Sequence, residues 1–416
     1  MGLLDIFRPR GGYASPPDDE ELVMPIVEAA RRDILHLPAA ELWASQPFLR
    51  TTVTFIARNI AQIGMHALER QPDGGRERIR SGAVADLLRR PSKHQTWYEL
   101  IYDLVATLML YDEAVLWYRS PPDGGDRELI LLRPSWGIRW EDGDAFHRGT
   151  ARFFIPGDST EQVAYADELI PFHGWHPDSA LDGSSPVEAL RIILAEQWEA
   201  SVFRFQLWKR GGRVGAYISR PENAKWSPDA KRKFTREFRA QYTGPNGGGV
   251  PVLEDGMEMK RIGFSAREED FVEATKLSLT TVASVYHINP TMLGLLDNAN
   301  YSNVREFRRM LYGDSLGPVL RQIEDRFNAF LLPKVGAGPD DYVEFNLQEK
   351  LRGSFEEQAA VYRAGVGAPW LTVNEARARE NLPAIDGGGS LIRPLNVGIS
   401  SDVPESELDD LDGQPS

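Results

Sequence analysis

Three stretches of this 416-residue chain carry residue types that could do chemistry. Gly313-Asp-Ser-Leu-Gly317 matches both the Gly-x-Ser-x-Gly elbow and the Gly-Asp-Ser-Leu signature of serine esterases. An elbow needs a strand ahead of the serine, and the hydrolase order places the histidine after it. Here Ser315 lies in a helical pattern between Leu311 and Leu320, and no histidine follows His287. The expectation is a turn of helix with no catalytic residue, and a serine esterase using Ser315 is the alternative. Thr243-Gly-Pro-Asn-Gly-Gly-Gly249 is glycine-rich, but Val250 follows where a phosphate-binding loop needs lysine. The chain is therefore read as hydrolysing no nucleotide and needing no cofactor, so any motor is a separate protein. His173-Gly-Trp-His176 has no matching cluster of acids and histidines elsewhere, which predicts a strand end and no metal site.

A fourth stretch is electrostatic. Lys231, Arg232, Lys233, Arg236 and Arg239 form one basic helix face. Most charge runs are solvated faces. A docking surface for DNA or for an acidic partner is the other reading, and a monomeric DNA-binding protein would rest on this helix alone. The rest of the chain is acidic: 47 Lys and Arg against 61 Asp and Glu give a formal charge of -14. That balance argues against a protein that wraps nucleic acid with its whole surface, and it permits one that DNA slides past. Without cysteine, disulfides and thiolate metal sites are excluded. No apolar run reaches the roughly 18 residues of a spanning helix, so no membrane contact is expected. The start Met1-Gly-Leu-Leu-Asp-Ile-Phe7 fits neither a signal peptide nor a myristoylation pattern.

The elements that must hold these stretches follow from caps and periodicity. Residues 9–22 read as mobile. Ala39 to Ile63 reads as helix, Met65 to Arg70 as strand, and Thr96 with Glu99 as a capping box opening a helix to about Leu110. Strands are expected at Ala114–Tyr118, Glu128–Leu132, Gly137–Trp140, Ala151–Ile155 and Glu168–His173, the first two forming a hairpin around Asp123-Gly-Gly125. Ser185-Pro186 with Glu188 starts a helix that runs to Lys209-Arg210, about 37 Å at ~1.5 Å per residue. A small α/β unit follows: a strand at Val214–Ser219, a helix from Ser227-Pro228, and a hairpin over 250–262 turning at Asp255-Gly256. A second long helix is expected from the Ser265 cap, with Glu268 three residues on, until Pro290 stops it. Thr291 to Asn300 then reads as a loop. Another helix starts near Ser302 or Asn303 and runs to Pro333, kinked at Gly317-Pro318. Later come a strand at Tyr342–Asn346, a helix near Phe355–Tyr362, a capping box at Thr372 and Glu375, and an acidic tail lacking aromatics.

Ala283-Ser-Val-Tyr-His-Ile-Asn-Pro-Thr-Met-Leu-Gly294, then Tyr301-Ser-Asn303, then Leu316-Gly-Pro-Val-Leu-Arg-Gln-Ile-Glu324 resemble the phage portal proteins of the HK97 type. Leu371-Thr-Val-Asn-Glu-Ala-Arg377, Leu382-Pro383 and Gly387-Gly-Gly389 resemble the C-terminal region of the same family. The likeness runs from about residue 40 to 397, and the order of the motifs is its specific part. It departs at Tyr111-Asp-Glu-Ala114, where many members carry Gly-Asn-Ala.

The resemblance implies an α+β portal fold with wing, long-helix stem, small α/β clip and helical C-terminal crown. It divides the chain into an N-terminal segment (1–38), wing (39–184), stem helix (185–210), clip (211–262), stem helix (263–288) and tunnel loop (289–302). A kinked helix returning to the wing (303–350), a crown (351–397) and an acidic disordered tail (398–416) follow. It implies a ring, usually a dodecamer, at one capsid vertex of a virion, assembled in the host cytoplasm. Double-stranded DNA would pass through its channel, with terminase large subunit, major capsid protein and a head-tail adaptor as partners. Pro290, Met292, Leu293, Leu295, Leu296, Asn298 and Asn300 would line the channel. The basic helix would sit in the clip, facing terminase or DNA.

Overall fold

Proline and buried apolar stripes set the first layer. The computed structural model describes residues 34–72, 74–121, 124–209, 216–219, 227–242, 253, 257–261, 271–295, 306–307, 309–347, 355–367, 370–379 and 382–392. The expected helix over Ala39–Ile63 is two, α1 (Ala39–Ser45) and α2 (Pro47–Ala61). Gln46 is extended because it precedes Pro47, and the proline opens the second helix. Leu49, Val53, Ile56 and Ile60 of α2 are buried at helical spacing against α4 (Trp97–Tyr111) and its Leu100, Ile101, Leu104 and Leu108. Truncating any of the leucines or isoleucines among these to alanine costs about 2–5 kcal/mol by the usual transfer and cavity terms. The capping box of α4 forms as expected: Glu99 N–H donates to Thr96 Oγ1 at 3.3 Å, and Thr96 N–H donates to Glu99 Oε2 at 2.8 Å.

The strands build small antiparallel sheets. β1 (Met65–Arg70) lies between β2 (Arg76–Arg78) and the late strand β11 (Asp341–Phe345), so the chain returns to its beginning as expected. β3 (Glu113–Arg119) pairs with β4 (Glu128–Leu132) as a hairpin and with β8 (Leu169–His173) on its other side. β5 (Arg139–Glu141), β6 (Thr150–Phe154) and β7 (Glu161–Ala164) form a third sheet. Its core packs Phe153 edge-on to Trp117 at 5.6 Å and stacked on Trp136 at 5.5 Å. Strands β2 and β7 and the short helix α3 (Ala83–Arg89) have no counterpart in the sequence reading.

Asp112 makes the turn at which the chain departs from the family pattern. It caps α4 in the left-handed conformation, φ 56°. That is the conformation a glycine would supply, and a short acid tolerates it better than most side chains. Its carbonyl accepts Gly174 N–H at 2.9 Å and its carboxylate accepts Ser184 N–H at 2.9 Å. Gly183 has to be glycine here, since a Cβ would stand 2.1 Å from the Asp112 backbone oxygen, and a Cβ at Gly174 would displace the Asp112 carboxylate. Burial pushes the Asp112 carboxyl above its ordinary range, with the Ser184 N–H opposing. The folded state therefore holds this proton more tightly than the unfolded chain, and the group's contribution is lost as pH rises through the folded value. Asp112→Ala is expected to lower unfolding free energy by about 1–2 kcal/mol, one hydrogen bond plus left-handed strain. Asp112→Asn keeps the acceptor, stays within about 0.5 kcal/mol, and flattens the pH dependence just above the ordinary carboxylate range. Urea titrations between pH 4 and 7 measure both.

Two long helices follow. α5 (Pro186–Lys209) begins where Ser185 Oγ donates to Leu110 O at 2.6 Å and accepts Val187 N–H at 3.2 Å. The Ser185–Glu188 capping box does not form: the Glu188 carboxylate turns to Arg191 at 2.5 Å. Next come β9 (Ala216–Ser219), α6 (Pro228–Tyr242), β10 (Glu258–Arg261) and α7 (Phe271–Val285). β10 pairs with β9, while the hairpin turn expected at Asp255-Gly256 and the Ser265 cap lie outside the described residues. So do the expected mobile segment 9–22 and the acidic tail.

The last long helix is interrupted twice. A π-helical turn (Leu311–Ser315) leads to α8 (Gly317–Arg326), and a second one (Phe327–Leu331) leads to α9 (Leu332–Val335). The first wide turn is closed by Leu316 N–H on Leu311 O at 2.7 Å and stands just ahead of Gly317-Pro318, where the kink was expected and where Pro318 sits at the start of α8. The helix passes the expected stop at Pro333 because the second wide turn puts that proline in the opening turn of α9. The Asn328 side chain brackets Val343 of β11, accepting its N–H at 2.7 Å and donating to its carbonyl at 3.0 Å. Glu324 accepts Phe345 N–H at 2.8 Å.

Residues from Asn346 onward form a separate compact unit. It holds α10 (Phe355–Gly367) and α11 (Val373–Arg379), with the expected capping box at Thr372 and Glu375. Asn374 donates to Ile385 O at 3.0 Å and accepts Ile385 N–H at 2.8 Å, folding the glycine-rich stretch back on α11.

Candidate functional site

The candidate channel segment hangs from the end of α7. Leu279, Val282, Ala283 and Tyr286 recur at helical spacing and are buried. α7 packs on α5 and α2. Arg204 of α5 donates to Thr275 Oγ1 at 3.2 Å, and Tyr286 donates to Met109 O at 2.9 Å. Burial pushes the Tyr286 hydroxyl far above its ordinary range.

The helix ends before the proline that was expected to stop it. His287 takes φ 55°, and its N–H donates to Ser284 O at 3.0 Å. Ile288 N–H donates to Ala283 O at 2.9 Å. This is a Schellman closure with histidine where glycine is usual. Pro290 instead opens a single 3-10 turn (Pro290–Leu293) capped by Asn289, whose side chain accepts Thr291 N–H at 3.0 Å. The first residues of the segment expected to be a loop thus form a helical turn. Pro290, Met292, Leu293 and Leu295 are half-buried, and the turn packs on α7 and α2. Leu296, Asn298 and Asn300 lie outside the described residues.

Ser315 acquires a definite job here. Its hydroxyl donates to His287 O at 2.6 Å, tying the first π-helical turn to the left-handed residue that ends α7. The neighbouring Tyr312 hydroxyl donates to Asn59 Oδ1 and accepts from Gln62 Nε2, both at 3.3 Å, which fixes the same turn to α2. The segment between His287 and Leu311 is therefore clamped at both ends. The serine sits on a wide helical turn and not on a strand-to-helix elbow. Sequence reading found the two ends of the loop but not this clamp; the only signal was the serine it set aside. Ser315→Ala is expected to cost about 1 kcal/mol in urea unfolding, the usual worth of one hydrogen bond.

Lys231, Arg232, Lys233 and Arg236 are exposed on α6, and Arg239 lies on the same helix with its side chain outside the described residues. Ser227 caps the helix by accepting Ala230 N–H at 3.2 Å. Local acids offset part of the face: Arg232 meets Asp229 at 2.5 Å, and Lys233 lies 4.0 Å from Glu237. The basic helix and the 3-10 turn belong to different parts of the chain. The two histidines of the 173–176 stretch have structural partners. His173 closes β8, with its ring facing Arg326 at 3.0 Å, and His176 accepts Asp178 N–H at 3.1 Å. Among the described residues no group of His, Asp and Glu is arranged to hold a metal ion, and no helix is long and apolar enough to cross a membrane.

Comparison with known proteins places this geometry. A family model described as phage portal protein matches residues 47–381. An uncharacterized protein of Rickettsia bellii (strain RML369-C) is 22% identical over 76% of this chain and 82% of its own length. The probable portal protein of Streptomyces phage phiC31 is 26% identical over 54% of this chain and 49% of its own. Among solved structures, a chain from "Neck of native GTA particle computed with C12 symmetry" superposes with a TM-score of 0.57 at 22% identity, covering 82% of this chain and 92% of that one. A HK97 family phage portal protein from Corynebacterium diphtheriae superposes with a TM-score of 0.51 at 16% identity, covering 74% and 95%. At these identities the structural likeness is one of fold.

Proposed function

Because this chain belongs to the phage portal protein family, we propose that it is one subunit of a ring at a single capsid vertex of a virion, a channel for DNA during packaging and ejection. The observation that carries this reading is the order of elements: α5 and α7 pack together, bracket the small unit of β9, α6 and β10, and lead into the clamped turn at Pro290–Leu293. Residues 39–184 with the returning strand form the wing, α5 and α7 the stem, 211–262 the clip, 289–302 the tunnel loop and 351–397 the crown. The twelvefold symmetry of the neck structure supports a dodecamer. Subunits of a closed ring meet head to tail, each using two different surfaces.

The electrostatics suit a conduit. A chain of formal charge -14 repeated around a ring repels phosphate, so DNA is surrounded without being gripped. The exposed cations of α6 are the exception, and they mark the surface where terminase large subunit or the entering duplex docks. Major capsid protein would contact the wing, and a head-tail adaptor would replace the motor once the head is full. The turn at Pro290–Leu293 anchors the tunnel loop, and Leu295 and Leu296 supply an apolar contact for passing DNA. Apolar side chains make no ion pairs with phosphate, so they touch the duplex and release it.

Light scattering of the purified chain tests the ring. The expected mass is about twelve times that of the subunit, following the symmetry of the neck structure. A single subunit at every protein and salt concentration would contradict it. Within the assembly, Ser315→Ala is expected to leave DNA packaging intact, whereas its loss with an unchanged ring would favour the esterase reading.

A further inference from the structure

A cleft of about 670 Å³ lies between α2, the start of α4 and the β3–β4 hairpin. Its wall includes Arg58, His94, Tyr98, Tyr102, Arg119 and Arg133. The acids in the same wall are already engaged. Glu99 caps α4 through Thr96, at 2.8 Å from its N–H. Asp103 accepts from Arg133 at 2.6 Å and from Gln95 at 3.0 Å. Glu128, 5% exposed, accepts from Arg119 at 3.1 Å and from Lys93 N–H at 3.2 Å.

What remains is a surplus of donors beside an aromatic platform. The Arg58 guanidinium makes no hydrogen bond or ion pair among the described residues, and the side chain is exposed. Tyr98 and Tyr102 stack at 6.3 Å with an interplanar angle of 29°, and Tyr98 is 43% exposed. Ile130 adds an apolar patch to the wall. A volume of this size suits a short segment or small ligand.

We propose that this cleft binds an acidic peptide segment, with one carboxylate on Arg58 and a bulky apolar side chain against Tyr98, Tyr102 and Ile130. A nucleic-acid strand fits less well. It would bring a row of phosphates past Asp103, Glu99 and Glu128, whose negative charges already have their partners and repel further anions. One carboxylate next to one free guanidinium meets no such row, and the pair forms charge-assisted hydrogen bonds with little desolvated competition. The tyrosine faces give the peptide's apolar side chain a flat surface at low entropic cost.

Fluorescence anisotropy with the full chain separates the possibilities. The probe is a labelled eight-residue peptide with a single glutamate beside leucine in a serine-glycine background, compared with the same peptide carrying lysine for glutamate and with a labelled single-stranded oligothymidine. The acidic peptide is expected to bind. Arg58→Glu and Tyr98→Ala should each weaken it about tenfold or more, the loss of one charge-assisted bond or one aromatic contact. Both positions are exposed, so neither substitution disturbs the core, and circular dichroism checks the fold. Absence of peptide binding, binding that Arg58→Glu and Tyr98→Ala both leave unchanged, equal binding of the lysine peptide, or tighter binding of oligothymidine would each overturn the proposal. None of these results depends on ring formation, which is measured separately by mass.

Discussion

Replacing Leu295 and Leu296 together by lysine is expected to leave rings intact and to reduce packaged DNA by about tenfold or more, because added cations bind phosphate in proportion to their number. Each subunit gains two positive charges. In a ring of the symmetry seen in the neck structure, about two dozen ammonium groups would crowd the narrowest part of the channel. The clamp explains why assembly should survive. His287, Tyr312 and Ser315 hold the segment through backbone and hydroxyl groups that the substitution does not touch. The defect should ease as salt rises, since counterion release drives the unwanted attachment. Packaging assays at two salt concentrations, with electron microscopy of the rings, read both effects. Normal packaging by the double lysine variant would remove the tunnel-loop assignment.

Reversing the basic face gives the second large effect. Lys231, Arg232 and Lys233 changed to glutamate should abolish terminase docking or DNA entry while rings still form. The substitutions sit on an exposed helix face, and their cost to the helix is small. A glutamate at position 232 would face Asp229 and one at position 233 would face Glu237, each like-charged pair costing about 0.2–0.5 kcal/mol. Long-range attraction to an acidic partner, in contrast, falls with every reversed charge and is sensitive to salt. Packaging at the normal rate with this variant would leave α6 as a solvated face.

Much of this account was legible in the sequence because its signals are local. Thr96 with Glu99 and Thr372 with Glu375 announce their helices through short-range hydrogen bonds, and both boxes form. The Ser185 cap was also legible, but Glu188 was not free to complete its box because Arg191 stands one turn further on. What escaped notice depends on distant partners. Asp112 looked like a departure from the family pattern until Gly174, Gly183 and Ser184 closed around it. β2 is three exposed charged residues and becomes a strand only through its pairing with β1. The two π-helical turns leave no clear sequence mark, and the bonds that Ser315 and Asn328 make from them go to His287 and Val343, far along the chain. Of the candidate site, the proline and caps that bound the segment after α7 and the exposed cations of α6 were readable, while the bonds that tie the neighbouring π-helical turn to α2 were not.

Cryo-electron microscopy of the purified chain tests the central claim most directly. The account predicts a closed ring with an axial channel whose narrowest point is formed by residues 289–300, and with α6 displayed at one end. Particles without a channel, or a channel whose constriction lies far from residues 289–300, would contradict it.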